Sequence, residues 1–236
     1  MVDNFAFADL PDEVIGFKYP FFRLAAALQK EPVRIVAMGS SSTAGREDVV
    51  PYPHWMEMFL RRDSGIARID VLNRGKGGEE ADRELPRFES DIFAESPSLV
   101  IWQVGTNAVF RNKEFDFETV VAAIERGLDQ LRSRSQVMDV MLIDPQYVPA
   151  MLLDDKADLS ERMVARISAA AERVKVNVFH RWALMRHWHV HNNISLDRLI
   201  DPTDPDRLHQ SDGSTLRLSR GLSNAIRKAI AAAGVT

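Results

Sequence analysis

The chain of 236 residues contains no cysteine. Disulfides, thiolate catalysis and cysteine metal sites are therefore excluded, and the chain is compatible with any redox environment. No apolar run approaches the ~18 residues that indicate a membrane span. The N-terminus does not have the pattern of a signal peptide, because Asp3 and Asp9 stand where positive charge is expected and the apolar stretch Leu24–Leu28 is too short.

A strong excess of positive charge is also missing. Lys and Arg number 30 against 34 Asp and Glu, which gives a formal net charge of −4. Without a basic field the chain is not expected to bind phosphate backbones, so the sequence predicts no nucleic-acid partner. The hydrophobic share of 45% and the charged share of 27% are typical of a globular protein with a sizeable core.

The pattern predicts an N-terminal extension, residues 1–31, followed by one domain over residues 32–236. The extension is rich in phenylalanine and is expected to pack over the domain, with a short helix over Phe21–Gln29; an arm in an oligomer is the alternative. Its phenylalanines are Phe5, Phe7, Phe17, Phe21 and Phe22. The sequence does not specify an oligomeric state.

Strand-like and helix-like segments alternate through the domain. Four short, mostly apolar runs predict buried strands, and a fifth segment, in which valines alternate with polar residues, predicts a less buried edge strand. These segments are Val33–Met38, Ile69–Leu72, Leu99–Val104, Val137–Ile143, and the valines Val174, Val176 and Val178.

Helical periodicity appears in the intervals, within residues 117–131, 163–174 and 218–233. The alternation predicts a three-layer α/β/α architecture with a five-stranded parallel sheet. Ligand sites of such sheets lie at the carboxyl ends of the strands.

Three polar, glycine-rich stretches fall at those predicted strand ends. The first is Gly-Ser-Ser-Ser-Thr-Ala-Gly at 39–45; it is not a P-loop, because Arg46-Glu47 follows, and a hydroxyl-rich helix cap is the simpler interpretation. The second is Asn-Arg-Gly-Lys-Gly-Gly-Glu at 73–79, a tight turn whose N–H groups could bind an anion. The third is Gly-Thr-Asn at 105–107, where an Asn side chain can cap a turn or face an oxyanion.

A fourth stretch, Asp206-Arg207-Leu208-His209, precedes the last predicted helix. Asp and His three positions apart on one turn can face the same site. The carboxylate would then fix the tautomer of the imidazole and leave its other nitrogen as a general base. The alternative is a solvated acidic loop over residues 201–212 that contains an ordinary histidine.

The order of these four stretches resembles the SGNH hydrolases, also called the GDSL esterase/lipase family, from about Val33 to the C-terminus. The segments are similar to those of a bacterial subgroup of the family, often exported, with a Gly-Ser-Ser-Ser-Thr first block. The resemblance implies the flavodoxin-like fold of the family. It assigns Ser41 as the nucleophile, Asp206 and His209 as its triad partners, and Ser41, Gly75 and Asn107 as oxyanion-hole donors.

Three positions depart from the family pattern without removing a catalytic group. Ser40 stands where Asp is usual, Ser42 where Leu or Ile is usual, and Ala108 where Asp commonly follows the asparagine. These departures leave open which of the three serines attacks. They also leave open a catalytically silent, carbohydrate-binding role.

The resemblance implies hydrolysis of carboxylic esters through an acyl-enzyme, without a metal or other cofactor. A small-molecule or carbohydrate ester with a short acyl group, such as acetyl, is the expected substrate, since no long apolar lid is evident. Transfer of the acyl group to a sugar hydroxyl is the alternative within enzymes. Arg74 and Lys76, beside Gly75, would favour an anionic leaving group or simply be solvated.

Three alternating histidines, His187, His189 and His191, form a separate cluster. A metal site is one interpretation. No carboxylate is evident near them in the sequence, so a pocket rim or a helix end is preferred.

Overall fold

Five parallel strands form the sheet at the centre of the molecule. The computed structural model describes residue 5 and residues 8–30, 32–46, 49–64 and 68–234, so the predicted packing of Phe7 lies outside the described residues. The strand order is β2-β1-β3-β4-β5, and every neighbouring pair is parallel. The strands are β1 (Val33–Gly39), β2 (Ile69–Gly75), β3 (Leu99–Gln103), β4 (Asp139–Ile143) and β5 (Asn177–Phe179).

Helices cover both faces of this sheet, which confirms the predicted three-layer α/β/α architecture. They are α1 (Asp12–Ile15), α2 (Phe22–Leu28), α3 (Ser41–Ala44), α4 (Tyr52–Ser64), α5 (Ala81–Glu84), α6 (Phe88–Asp91), α7 (Thr106–Phe110), α8 (Phe117–Ser133), α9 (Lys156–Arg173), α10 (Arg181–Val190), α11 (Leu196–Leu199) and α12 (Asp212–Ala232). Helices α4 and α12 pack against each other, and α8 contacts both α5 and α9. No helix in the described ranges is long and apolar enough to cross a bilayer.

Helix α8 shows how the local sequence produces one of these layers. Asp116 caps its first turn by accepting the Thr119 N–H at 2.8 Å, and the apolar positions from Val120 to Leu131 are buried. Gly127 lies against the indole of Trp102, where an added Cβ would come within 2.3 Å of the ring. The glycine therefore lets α8 approach β3 closely.

Helix α12 holds the chain segment that precedes it over the carboxyl end of the sheet. Ser219, one of several buried serines on this helix, donates to the Tyr52 carbonyl of α4 at 3.4 Å and to its own helix at 2.7 Å. Ser214 donates to the Leu199 carbonyl at 2.8 Å. The bond between Ser214 and Leu199 joins the two ends of the loop that contains His209, and the Ser219 bond attaches α12 to α4.

The N-terminal segment covers the edge strand β5. Asn177 accepts the Tyr19 N–H at 2.9 Å and donates to the Tyr19 carbonyl at 2.7 Å, and the rings of Phe17 and Phe179 pack edge to face. The predicted edge position is confirmed, but the prediction that this strand is less buried is wrong, because all three residues of β5 are buried. The strand is also shorter than predicted, since Val174 already caps the end of α9. The division of the chain at residue 31 stays a prediction.

Strand β2 continues further than the sequence predicts. It runs through Asn73 and Arg74 to Gly75, which pairs with Gly39 at the end of β1. The loops that follow β1, β2 and β3 therefore begin side by side at one edge of the sheet.

Candidate active site

Ser41 begins helix α3 immediately after strand β1. Gly39 permits this sharp transition, because a Cβ at that position would lie 2.5 Å from Thr43 Oγ1 and 2.9 Å from Gln103 Oε1. As the first residue of α3, Ser41 has no intrahelical acceptor for its backbone N–H. That N–H is therefore available to an external oxygen.

The hydroxyl of Ser41 lies next to the imidazole of His209. Ser41 Oγ is 2.9 Å from His209 Nε2, and on the opposite side of the ring Nδ1 is 2.9 Å from Asp204 Oδ2. An ionised carboxylate only accepts hydrogen bonds, so Asp204 favours the tautomer with the proton on Nδ1. Nε2 is then free to accept the Ser41 proton. This geometry supports Ser41, rather than Ser40 or Ser42, as the attacking serine.

Asp204 is buried and held as a carboxylate. Burial alone would raise its pKa. The N–H groups of His209 and Leu208, the guanidinium of Arg46 and the His209 ring outweigh burial and hold the pKa of this carboxyl well below its usual range. The two N–H groups donate to Oδ2 at 2.7 and 2.9 Å, and Arg46 pairs with Oδ1.

The structure corrects the expectation that Asp206 orients His209. Asp206 is exposed, and it donates its backbone N–H to Asp204 Oδ1 at 3.3 Å. The prediction assumed a regular helical turn between Asp206 and His209. The loop instead turns sharply, with Arg207 at a φ of +55°, and this geometry brings Asp204 beneath the imidazole. The Asp204-Pro205 pair is a turn-initiating signal that could have indicated this.

Gly75, the predicted oxyanion glycine, is also corrected by the structure. It is the last residue of β2, and its N–H donates to Asn73 Oδ1 at 2.9 Å. A Cβ there would lie 2.2 Å from the backbone nitrogen of Ala44, so this glycine permits β2 to pack against α3. Its N–H already has an acceptor.

The next turn, residues 76–79, lies closer to the nucleophile. Lys76 accepts the Glu79 N–H at 3.3 Å, Gly78 has a φ of +77°, and a Cβ on Gly77 would lie 3.9 Å from Ser41 Cβ. Within the described ranges, the N–H groups of Gly77 and Gly78 have no acceptor. The Gly77–Gly78 turn can therefore supply the backbone donor expected of Gly75.

Asn107 lies in the first turn of helix α7 and is buried. Its Nδ2 donates to the Glu79 carbonyl at 2.7 Å, which ties it to the turn that faces Ser41. A primary amide carries two N–H donors, so one remains for a substrate oxygen. The position of Asn107 is consistent with the predicted oxyanion role.

Two buried glutamates, which the sequence analysis did not single out, lie behind this turn. Burial raises the pKa of Glu80, against the opposing effect of N–H groups that donate to it, chiefly those of Gly105 and Ala108. Burial and the neighbouring Glu80 raise the pKa of Glu84 well above its ordinary value; Glu84 accepts the indole N–H of Trp102. Carboxyl groups that contact backbone N–H groups of a distant loop leave no local sequence pattern.

A buried chain of polar side chains connects the serine loop to the histidine loop. Gln103 Oε1 accepts the N–H and the hydroxyl of Ser40, both at 3.2 Å, and the hydroxyl of Thr43 at 3.3 Å. Gln103 donates to Thr106, Thr106 donates to Gln146, and Gln146 donates to the Leu208 carbonyl. Ser40, in the position where the family usually has Asp, is thus a buried structural residue.

A small cavity opens beside the nucleophile. Its volume is about 30 Å³, and Ser41, Arg46, Pro51, His209 and Thr215 are among the residues that line it. Outside it, the charges of Arg74 and Lys76 are paired within the protein, with Glu95 and Glu79 respectively. These two cations are therefore already neutralised by partners.

The histidine cluster lies at the C-terminal end of helix α10, as the preferred interpretation predicted. His187 is 2.8 Å from Asp9, His189 contacts the Ile194 carbonyl at 2.9 Å, and the rings of His187 and His191 pack against each other. Among the described residues, no group of three or more His, Cys, Asp or Glu side chains could hold a metal ion.

Comparison with solved structures identifies proteins that share this fold. An acetyl-xylooligosaccharide esterase from Geobacillus stearothermophilus aligns over 83% of this chain and 94% of its own, with a TM-score of 0.69 and 20% identity. A protein described as a GDSL-like lipase from Parabacteroides merdae aligns over 84% and 97%, with a TM-score of 0.71 and 15% identity. In the Geobacillus enzyme, the Asp and the His replaced in catalytic mutants are three positions apart.

Sequence comparison adds one partial relative and a family. An uncharacterised lipoprotein of Bacillus subtilis, YqeF, is 31% identical over 77 residues; the match covers 31% of this chain and 31% of that protein's length. The family model of the non-GDSL lipase-like family matches residues 7–232, nearly the whole chain. The chain therefore belongs to the non-GDSL lipase-like family.

Proposed function

We propose that this protein is a serine esterase of the SGNH/GDSL hydrolase type, with Ser41 as nucleophile, His209 as general base and Asp204 as the carboxylate that orients His209. The observation that carries the proposal is the continuous contact from Asp204 Oδ2 through the His209 ring to Ser41 Oγ, with both distances at 2.9 Å. Such an arrangement activates a serine hydroxyl near neutral pH.

The reaction follows from this geometry. His209 Nε2 takes the Ser41 proton as Oγ attacks the ester carbonyl carbon and forms a tetrahedral intermediate. The intermediate expels the alcohol oxygen, which takes the proton from Nε2, and the acyl group stays on Ser41. Water then loses a proton to Nε2 and attacks the acyl-enzyme; the acid leaves, and the proton returns to Ser41 Oγ.

The negative oxygen of each tetrahedral intermediate needs positioned donors. We assign the N–H of Ser41, an N–H of the Gly77–Gly78 turn and the second N–H of the Asn107 amide. Two contacts support this set: Gly77 adjoins Ser41, and Asn107 is bonded to the carbonyl of Glu79 in the same turn.

The substrate that fits best is an ester of a short acyl group, chiefly acetyl. The cavity beside Ser41 is small, about 30 Å³, and Pro51 and Thr215 are among the residues that line it, which favours a short acyl group over a long chain. A carbohydrate alcohol is the proposed leaving group, because the Geobacillus protein with this fold is an acetyl-xylooligosaccharide esterase.

The test measures initial rates on p-nitrophenyl esters from acetate to palmitate, and acetate release from acetylated xylo-oligosaccharides. We expect kcat/KM to be highest for acetate and roughly tenfold or more lower by octanoate. Ser41→Ala should lose on the order of 10⁵-fold in kcat, whereas the matched variant Ser42→Ala should lose less than about tenfold.

Three results would contradict parts of this proposal. Turnover that persists in Ser41→Ala would exclude Ser41 as nucleophile. A preference for long chains would exclude the short-acyl assignment. Acyl transfer to added xylose that outpaces hydrolysis would identify an acyltransferase instead.

A further inference from the structure

Glu80 bridges two loops that meet at the site. It is 2% exposed, and its carboxylate caps helix α5 by accepting the Ala81 N–H at 3.0 Å. The same oxygen, Oε1, accepts the N–H of Gly105 at 2.9 Å, and Oε2 accepts the N–H of Ala108 at 3.1 Å. All three donors are backbone N–H groups, and two of them belong to the segment after β3: Gly105, which caps α7, and Ala108 in the first turn of α7.

Those two N–H groups flank Asn107 along the chain. Gly105 is the N-cap of α7 and has no side chain to cap the helix, so the carboxylate of Glu80 replaces the missing cap. The adjoining carbonyl, that of Glu79, accepts the side chain of Asn107 at 2.7 Å. Residues 79 and 80 together therefore hold the backbone on both sides of Asn107 and one N–H of its amide.

We propose that Glu80 is a positioning residue that fixes the Asn107 amide relative to the Gly77–Gly78 turn, so that the donors on both segments converge on one oxyanion. This inference rests on the proposed function, in which Asn107 is an oxyanion donor. Glu80 itself is not assigned a contact with any reacting atom. Its effect is to keep two separate loops in one fixed geometry, and a displacement of about 1 Å in such a site can reduce the rate roughly 100-fold.

Glu84 provides a matched control on the same short helix. It is fully buried like Glu80, but its hydrogen bond goes to the indole of Trp102, away from residues 105–108. Glu84→Gln keeps an oxygen to accept that N–H. Glu80→Gln makes the same chemical change, from a carboxyl group to an amide. Because both oxygens of Glu80 accept backbone N–H groups, the new NH₂ group must face one of those donors.

The experiment is a double-mutant cycle on p-nitrophenyl acetate hydrolysis, with Glu80→Gln, Asn107→Ala and the double variant, and with thermal unfolding of each. Asn107→Ala should lose about 100-fold in kcat. Glu80→Gln should lose about 10- to 100-fold in kcat with KM within about threefold of wild type, and Glu84→Gln should stay within about threefold of wild type. The double variant should be within about threefold of Asn107→Ala alone, because Glu80 acts through Asn107.

Two results would overturn the inference. One is a kcat of Glu80→Gln within twofold of wild type. The other is a double variant whose fold loss in kcat equals the product of the losses of Glu80→Gln and Asn107→Ala, since the two residues would then act independently. If Glu80→Gln does not fold, Glu80→Asp, which keeps the charge but shortens the reach, is used in the same cycle with the same criteria. Failure of the proposed function is distinct, because it would appear as a wild type that lacks Ser41-dependent turnover.

Discussion

Asp204 and His209 are joined by two hydrogen bonds to a single oxygen: Asp204 Oδ2 lies 2.9 Å from the ring nitrogen Nδ1 and 2.7 Å from the backbone nitrogen of His209. The carboxylate therefore fixes both the orientation of the imidazole and the turn of the loop that carries it. Asp206 contributes to this loop through its backbone N–H, which donates to Asp204 Oδ1, while its side chain is exposed.

Replacing the two candidate carboxylates in turn separates their roles. Asp204→Asn should lower kcat on the order of 10³- to 10⁴-fold, because an amide cannot hold the proton on Nδ1 in the same way. Asp206→Asn removes an exposed charge and should change kcat by less than about threefold. Steady-state kinetics on p-nitrophenyl acetate measure both losses in kcat. A larger loss for Asp206→Asn than for Asp204→Asn would instead identify Asp206, three positions before His209, as the carboxylate that orients the imidazole.

The buried carboxylate of Asp204 also predicts a pH-dependent stability. Its pKa in the folded protein is below its value in the unfolded chain, about 3.9, so its ionised form stabilises the fold above that pH. The stabilisation should diminish as pH falls below about 4 towards the folded-state pKa. Urea unfolding at pH 7, 5, 4 and 3 should show the stability difference between wild type and Asp204→Asn shrinking in that window; a difference that is constant with pH would contradict the assignment.

The two glycines Gly75 and Gly77 should respond differently to an added methyl group. Gly75→Ala places Cβ against the backbone of α3, which cannot move freely, and should lower the melting temperature. Gly77→Ala places Cβ at an ordinary contact distance from Ser41 Cβ, so the protein should fold with a near-normal melting temperature but hydrolyse p-nitrophenyl acetate more slowly. Equal effects of the two substitutions on folding and on rate would argue against the Gly77–Gly78 turn as the donor.

Gln103 is predicted to stabilise the segment around Ser41 by accepting hydrogen bonds from Ser40 and Thr43. Gln103→Leu leaves the buried N–H of Ser40 without its acceptor, and an unsatisfied buried group costs about 1–3 kcal/mol. Ser40→Ala removes only one hydroxyl and should cost less. The free energies of unfolding of the two variants decide this point; a smaller loss for Gln103→Leu than for Ser40→Ala would be the contrary result.

Much of the fold could be predicted because its signals are local. The apolar runs of β1, β3 and β4 and the periodicity of α8, α9 and α12 identify the parallel sheet and its covering helices. Short helices such as α5, α6 and α11 have too few turns for periodicity to show. The burial of β5 depends on the N-terminal segment that covers it, and the strand's own sequence carries no sign of that contact.

The candidate site was predictable to the extent that its residues belong to motifs. Ser41, Asn107 and His209 lie where the order of the motifs placed them. Asp206 and Gly75 were assigned by matching family motifs, and a matched position makes the expected contact only where the local backbone also follows the motif. A sharp turn at Arg207 and the continuation of β2 to Gly75 broke that assumption. The contacts of Glu80 with residues 105 and 108 join distant parts of the chain and have no local signature.

Whether His209 activates Ser41 can be measured by covalent labelling with a fluorophosphonate, which reacts with an activated serine. We expect one adduct per chain in the intact mass, located at Ser41 by peptide mapping and lost in His209→Ala. An adduct on Ser40 or Ser42, or ester hydrolysis by wild type that continues unchanged after Ser41 is fully labelled, would contradict it.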